Sequence, residues 1–195
     1  MTDWENCYQE CRTPWDKAAP APELAFLLGE GLLQGRVLVP GCGRGHDARA
    51  IAAAGGTEVV GLDIAPSAVR EARLIGCGAG LSFEEGSLFD PPKEWMGTFD
   101  WIWEHTCFCA IDPQDRSRYV TSVHALLRPG GHLLATFFMD PGLDPGEEGP
   151  PFGVTKEALD DLFSAHFSLD KEWAPRAAFP GREGRELMRK LTRVG

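Results

Sequence analysis

The sequence predicts a doubly wound α/β domain built on a mostly parallel, seven-stranded sheet. Three observations predict it. Short apolar runs rich in β-branched residues alternate with helix-length segments, each pair about 25 residues apart. A glycine cluster follows the first run directly, and the last two runs are joined without a long crossover helix. Such alternation needs parallel strands covered on both faces, and the short final connection implies an antiparallel pair at the sheet edge.

The elements follow in order. Residues 1–22 hold Trp4, Tyr8 and Trp15, are punctuated by Pro14, Pro20 and Pro22, and read as an irregular or short-helical arm. Glu23 to Gly31 is a helix with Leu24, Leu27 and Leu28 on one face. Arg36 to Pro40 is a buried strand, and Asp47 to Ala54 is a helix stopped by Gly55-Gly56. Glu58 to Asp63 is the second strand, and Ser67 to Ile75 is a helix with Pro66 suited to its first turn. Leu81 to Gly86 and Phe99 to Trp103 are the third and fourth strands. Gln114 to Leu127 is a helix that Pro129-Gly130-Gly131 ends, turning the chain into the strand His132 to Phe138. A proline-rich loop over Asp140 to Gly153, with Pro141, Pro145, Pro150 and Pro151, precedes a helix from Lys156 to Ser164. A strand from Phe167 to Trp173 and a last element over Arg185 to Arg193 close a single domain spanning 1–195.

Composition narrows the partners. The 195 residues carry 19 Lys+Arg against 29 Asp+Glu, a net charge of −10, with no basic run to displace counterions from nucleic acid or to hold an acidic membrane surface. No stretch approaches the roughly 20 apolar residues of a membrane span, and the polar, aromatic N-terminus does not read as a secretory signal. A cytoplasmic monomer is the expectation. The six cysteines, Cys7, Cys11, Cys42, Cys77, Cys107 and Cys109, are dispersed and lack paired zinc spacing, so they read as free thiols with no metal site.

In a doubly wound sheet the ligand lies beyond the carboxyl ends of the strands. Gly41-x-Gly43-x-Gly45 stands at the first of these, and Asp63 ends the second strand, 22 residues after Gly41. Glycines let the chain turn sharply and a ligand approach the main chain; the carboxylate can accept hydrogen bonds from two ribose hydroxyls. Together they predict a nucleoside-bearing cofactor. The dinucleotide fingerprint would need a third glycine where His46 stands. The Gly-x-Gly-x-Gly form is the usual pattern for S-adenosylmethionine, and a nicotinamide-dependent oxidoreductase is the alternative of the same architecture.

Val39-Pro-Gly-Cys-Gly-Arg-Gly-His-Asp47 closely resembles the thiopurine S-methyltransferase superfamily, in its halide and thiol methyltransferase branch. Trp4 to Tyr8 with Thr13 to Asp16, Val59 to Ile64, Phe108 to Ile111, Pro150 to Phe152 and Gly181 to Gly184 extend the resemblance along nearly the whole chain. It implies a Rossmann-like fold and transfer of a methyl group from S-adenosylmethionine to a small soft nucleophile, a thiol, sulfide, thiopurine or halide, leaving S-adenosylhomocysteine. It further implies that Trp4, Tyr8 and Trp15 form a lid over the cofactor. Gly41, with Cys42 and Gly43, would meet its methionine portion and Asp63, with Ile64, its ribose. Ser87 and Leu88 would flank the adenine, and His105 would lie beside the cofactor. Four positions depart from the family pattern: Ser87 for an aspartate, Tyr8 for a tryptophan, Glu104-His105 for an Asp-Tyr type pair, and Phe152 for a tyrosine.

Sulfonium methyl transfer needs alignment more than activation, and aromatic faces stabilise a sulfonium as they do other cations. Arg182 is the candidate for holding an anionic acceptor, or else a solvated loop arginine; His105 can take a proton as general base, or else donate a hydrogen bond to a main-chain group. Phe108 and Phe152 are expected to line a small apolar acceptor pocket. Cys107 and Cys109 read as core or pocket thiols, and His124 and His132 as structural. A protein that binds the cofactor without turnover is the third reading.

Overall fold

A computed structural model of the chain describes residues 2–55, 57–143 and 149–195. Met1, Gly56 of the expected helix stop, and positions 144–148, including Pro145 of the proline-rich loop, lie outside the described residues.

Seven strands form one sheet: β1 (Gly35–Pro40), β2 (Thr57–Asp63), β3 (Leu81–Glu85), β4 (Phe99–His105), β5 (Leu127–Phe138), β6 (Phe167–Trp173) and β7 (Glu186–Arg193), in the order β3-β2-β1-β4-β5-β7-β6. β1 to β5 pair in parallel. β7 inserts between β5 and β6 and runs antiparallel to both, which supplies the antiparallel edge pair the sequence implies. The order reverses at β1, whose neighbours are β2 and β4, so the ligand crevice opens past the carboxyl ends of these strands.

Among the described residues there are six α-helices: α1 (Trp4–Gln9), which packs on α4, and α2 (Leu24–Gly29), α3 (His46–Ala53), α4 (Pro66–Ile75), α5 (Arg116–Leu126) and α6 (Lys156–Phe163), which cover the sheet. Side chains alternate across each strand, so both faces are apolar. Leu38, Ile102, Leu133 and Phe137 meet Tyr119 and Val123 of α5 and Phe163 of α6. Val37, Val39, Val59, Trp103 and Leu134 meet Leu24 and Leu27 of α2, Ile51 of α3 and Val69 of α4. Among the described residues no helix is long and apolar enough to cross a membrane.

Two boundaries differ from the sequence reading in ways that matter. β4 runs two residues further, to His105, which places that imidazole at the strand's carboxyl end. The helix expected to stop at Pro129 gives way earlier, and β5 begins at Leu127, carrying Pro129-Gly130-Gly131 inside the strand. A Cβ on Gly131 would stand 2.9 Å from the Arg128 oxygen and 3.0 Å from the Phe99 oxygen. Glycine is needed at Gly131 for this close approach, while Gly130, at φ 71°, turns the chain, and the β4–β5 register jumps here from Phe99↔Leu127 to Trp101↔His132.

The aromatic centre of the α5–α6 face carries much of the packing. Phe163 is 1% exposed, with ring centroids 5.6 Å from Phe137 and 5.8 Å from Phe167. Phe163→Ala should lower unfolding free energy by about 3–5 kcal/mol, measured by urea denaturation of the cofactor-free protein.

Candidate active site

β1 runs straight into the glycine loop. Gly41, Gly43 and Gly45 have φ of 59°, 53° and 76°, the left-handed region that side chains disfavour. A Cβ on Gly45 would overlap the Phe83 ring, and one on Gly41 would sit 3.0 Å from the Cys107 sulfur in the turn after β4. The loop is thus pressed between the ends of β3 and β4. Asp63, at the end of β2, fixes its crest: Gly43 N donates to Oδ2 at 2.8 Å and Ala65 N to Oδ1 at 2.9 Å. Burial pushes the Asp63 carboxyl above its ordinary value, against the pull of these N–H groups. Beside it Ile64 is 54% exposed, an apolar side chain left uncovered next to a buried carboxylate.

The arm lies over this loop. Trp4 meets Trp15 edge-on at 5.2 Å, Tyr8 meets Trp15 at 6.0 Å, and the three pack on Ala65 and Ala68. The Tyr8 hydroxyl would be 3.0 Å from a Cβ on Gly43, and burial followed by the Asp63 charge raises its phenol well above the ordinary value. Two polar fasteners hold the arm. Glu5 accepts hydrogen bonds from Ser67 N at 2.8 Å and Ser67 Oγ at 2.6 Å in the first turn of α4. Asp16 pairs with Arg44 of the glycine loop and lies 3.1 Å from His46 Nε2, while Arg44 also reaches Glu71 of α4 at 2.6 Å.

The end of β4 sends its side chains both ways. Glu104 points into the core, fully buried, where Oε1 accepts from Cys107 N at 2.9 Å and Phe108 N at 2.8 Å, and Oε2 from the Tyr119 hydroxyl at 2.5 Å. These bonds fold the 104–108 turn, with Thr106 at φ 67°. His105 points to the opposite face. Its Nδ1 is 3.4 Å from Asp47 Oδ2, its ring stacks on Trp103 with 14° between the planes, and Phe179 closes on it at 6.0 Å.

Two late loops approach this end. Phe152 N donates to the Cys109 oxygen at 2.7 Å. The Arg116 guanidinium donates to the oxygens of Gly153 and Phe152, both at 3.1 Å, and lies 4.6 Å over the Phe108 ring. Arg182 shares a turn with Phe179, stands 4.8 Å over the Phe138 ring and reaches Glu186 at 3.4 Å.

The structure therefore gathers Trp4, Tyr8, Trp15, Gly41, Cys42, Gly43, Asp63 and Ile64 around the glycine loop, with His105 across from them on β4. Phe179 links His105 to the Arg182 turn. Two expected residues stand elsewhere. Phe108 is 1% exposed, packed on Tyr119 and Phe137 because the Glu104 bonds turn it inward. Leu88 is buried in the core with Leu62 and Trp95. Ser87 stays at the surface, its hydroxyl accepting from Phe89 N at 3.1 Å, beside a groove of 650 Å³ under β3. Asp47, Asp16, Arg44, Arg116 and Phe179 were given no role from sequence. Asp47 and Arg44 lie inside the recognisable nonapeptide, whereas Arg116 meets partners 36 and 37 residues away, which no local pattern signals.

The residues present fit an S-adenosyl group: side-chain-free backbone at the loop crest, a carboxylate at the end of β2, an uncovered apolar neighbour and an aromatic roof. The family model described as thiopurine S-methyltransferase matches residues 1–183. The chain belongs to this family. It is 32% identical over 200 residues to thiocyanate methyltransferase 1 of Arabidopsis thaliana, covering 98% of this chain and 84% of that one. It is 36% identical over 183 residues to a probable thiol methyltransferase 2 of the same plant, covering 88% and 77%. Among solved structures, a Burkholderia thailandensis 1,6-didemethyltoxoflavin-N1-methyltransferase with bound S-adenosylhomocysteine superposes with a TM-score of 0.76 at 24% identity, over 99% of this chain and 86% of that one. The protein is an S-adenosylmethionine-dependent methyltransferase, which displaces the nicotinamide reading.

Burial raises the Glu104 carboxyl above 4.5 despite the bonds it accepts. The folded state then binds this proton more tightly than the unfolded state, so Glu104 costs stability as pH rises past about 4.5. Glu104→Gln keeps an oxygen for the two backbone N–H groups and an amide for Tyr119. Its stability relative to wild type should rise between pH 4.5 and neutrality, read by denaturation at a series of pH values.

Proposed function

We propose that this methyltransferase acts on small soft acceptors, a thiol, sulfide, thiopurine or halide, as a cytoplasmic monomer without a nucleic-acid partner. The observation that carries this reading is the closure of the aromatic arm on the glycine loop and Asp63. An arm closed over the cofactor loop suits a small acceptor better than a macromolecule. The relatives named for thiocyanate and thiol acceptors support the acceptor class, and the acidic composition supports the absence of a nucleic-acid partner.

In this reading Gly41, Cys42 and Gly43 receive the methionine portion of the cofactor, Asp63 and Ile64 the ribose, and Ser87 with the 87–88 backbone the adenine edge. The bound cofactor supplies a methyl group already activated by a positive sulfur. Trp4, Tyr8 and Trp15 exclude water and present aromatic faces to that charge. Arg182 and His105 serve the acceptor, with Phe152 and Phe179 as its apolar walls and Phe108 backing them. The chain's main task is to hold the acceptor in line with the methyl group.

Calorimetric titration with S-adenosylhomocysteine, followed by labelled methyl transfer to a panel of thiols, sulfide and iodide, tests the reading. Tight binding without transfer to any acceptor would favour a non-catalytic binding protein. Asp63→Ala should weaken S-adenosylhomocysteine binding by about 1–3 kcal/mol, and unchanged affinity would remove Asp63 from the cofactor site.

A further inference from the structure

We propose that Asp47 and His105 act as a pair: Asp47 sets the imidazole tautomer, and His105 Nε2 takes the proton of a neutral thiol acceptor. The proposal rests on the reading above and assigns the protonation class of its acceptor.

Asp47 sits in the first turn of α3, where helix N–H groups favour a negative charge. Its Oδ1 accepts from Ala21 N at 2.7 Å and its Oδ2 from Trp103 Nε1 at 2.7 Å, with His105 Nδ1 3.4 Å from the same Oδ2. Burial opposes ionisation, yet His105 and these two donors hold the carboxyl below its ordinary value, so it is charged at neutral pH. A carboxylate facing Nδ1 places the neutral imidazole's proton on that nitrogen and leaves the Nε2 lone pair free. Trp103 and Phe179 both pack near the ring, with centroids 6.2 and 6.0 Å away. The titratable groups nearest the ring are Asp47 from α3 and, directed into the opposite face of the same strand, Glu104. Ala21 lies at the end of the 1–22 arm, so this carboxylate joins arm, helix and strand at one point.

Most thiols are protonated at neutral pH, with unperturbed pKa values of about 8.5. In the proposed step the acceptor S–H bond breaks and its proton goes to Nε2. The sulfur pair forms the new bond to the methyl carbon, and the electron pair of the breaking carbon–sulfonium bond stays on the departing sulfur. The imidazolium then releases its proton to water. Iodide carries no proton and needs no such help.

Asp47→Asn and His105→Gln should each lower the thiol-to-iodide preference in kcat/KM by about 100-fold at pH 7. The deficit should close as pH rises through the thiol's own pKa. Independently, ¹⁵N NMR of the cofactor-free protein should show His105 in the Nδ1–H tautomer, and Asp47→Asn should abolish that preference. Equal losses on thiol and iodide, a deficit that does not change with pH, or an Nε2–H tautomer in wild type would each overturn the proposal. His105→Gln leaves the Asp47 bonds to Ala21 and Trp103 in place, so it tests the base even if Asp47→Asn folds poorly. Absence of wild-type transfer to both acceptors would count against the function proposed above, while the tautomer measurement still decides the Asp47–His105 assignment.

Discussion

Three carboxylates, Asp63 and Glu104 buried and Asp47 mostly enclosed, organise the carboxyl edge of this sheet, and the site depends on them. Asp47 ties the end of the arm to α3 and β4, Asp63 ties the glycine loop to the turn after β2, and Glu104 folds the turn after β4. An isolated buried charge is costly, and each of these accepts at least two N–H groups. Five of the bonds come from backbone N–H groups, with the Trp103 indole and the Tyr119 hydroxyl completing the set, so the same contacts satisfy both partners. A loop held in this way is already in place when a ligand arrives, which reduces the ordering cost of binding.

The periodic part of this arrangement was legible in the sequence. Alternating β-branched runs and amphipathic helices gave the strand positions, and the glycine spacing with Asp63 located the cofactor cradle. What was not legible is contact across the chain. Arg44, His46 and Asp16 meet across about 30 residues, and Arg116 meets the Phe152 loop across 36. Phe108 read as a pocket wall because its neighbours are apolar. Its direction is set by hydrogen bonds from its own N–H and that of Cys107 to Glu104, which no hydrophobic pattern encodes. The Pro129-Gly130-Gly131 run has the composition of a turn, and it interrupts the β4–β5 pairing between Leu127 and His132, with Gly130 at φ 71°.

The fasteners of the arm explain why so short a segment stays closed. A six-residue helix is far below the length at which a helix is stable in isolation. The aromatic cluster on Ala65 and Ala68 supplies apolar burial, and Glu5 and Asp16 attach the two ends of the arm to α4 and the glycine loop. Arg44 is shared between arm and α4 through Asp16 and Glu71, so movement of the cofactor loop and movement of the arm are mechanically linked.

The same burial that shapes the pocket keeps the protein's own sulfur atoms out of the chemistry. Cys42, Cys107 and Cys109 all lie near the site, and a methyl donor suited to soft nucleophiles would react with a thiolate among them. Enclosure, and then the negative charges of Asp63 or Glu104, raises all three thiols well above their ordinary value. Cys109 is pushed up to about 12 even with Arg182 and Arg116 nearby, so it is overwhelmingly a thiol at pH 7. Enclosure first, and the carboxylates that fix the loops second, therefore oppose ionisation of these thiols. An acceptor that enters as an anion, or that meets a base inside the pocket, has an advantage the resident thiols lack.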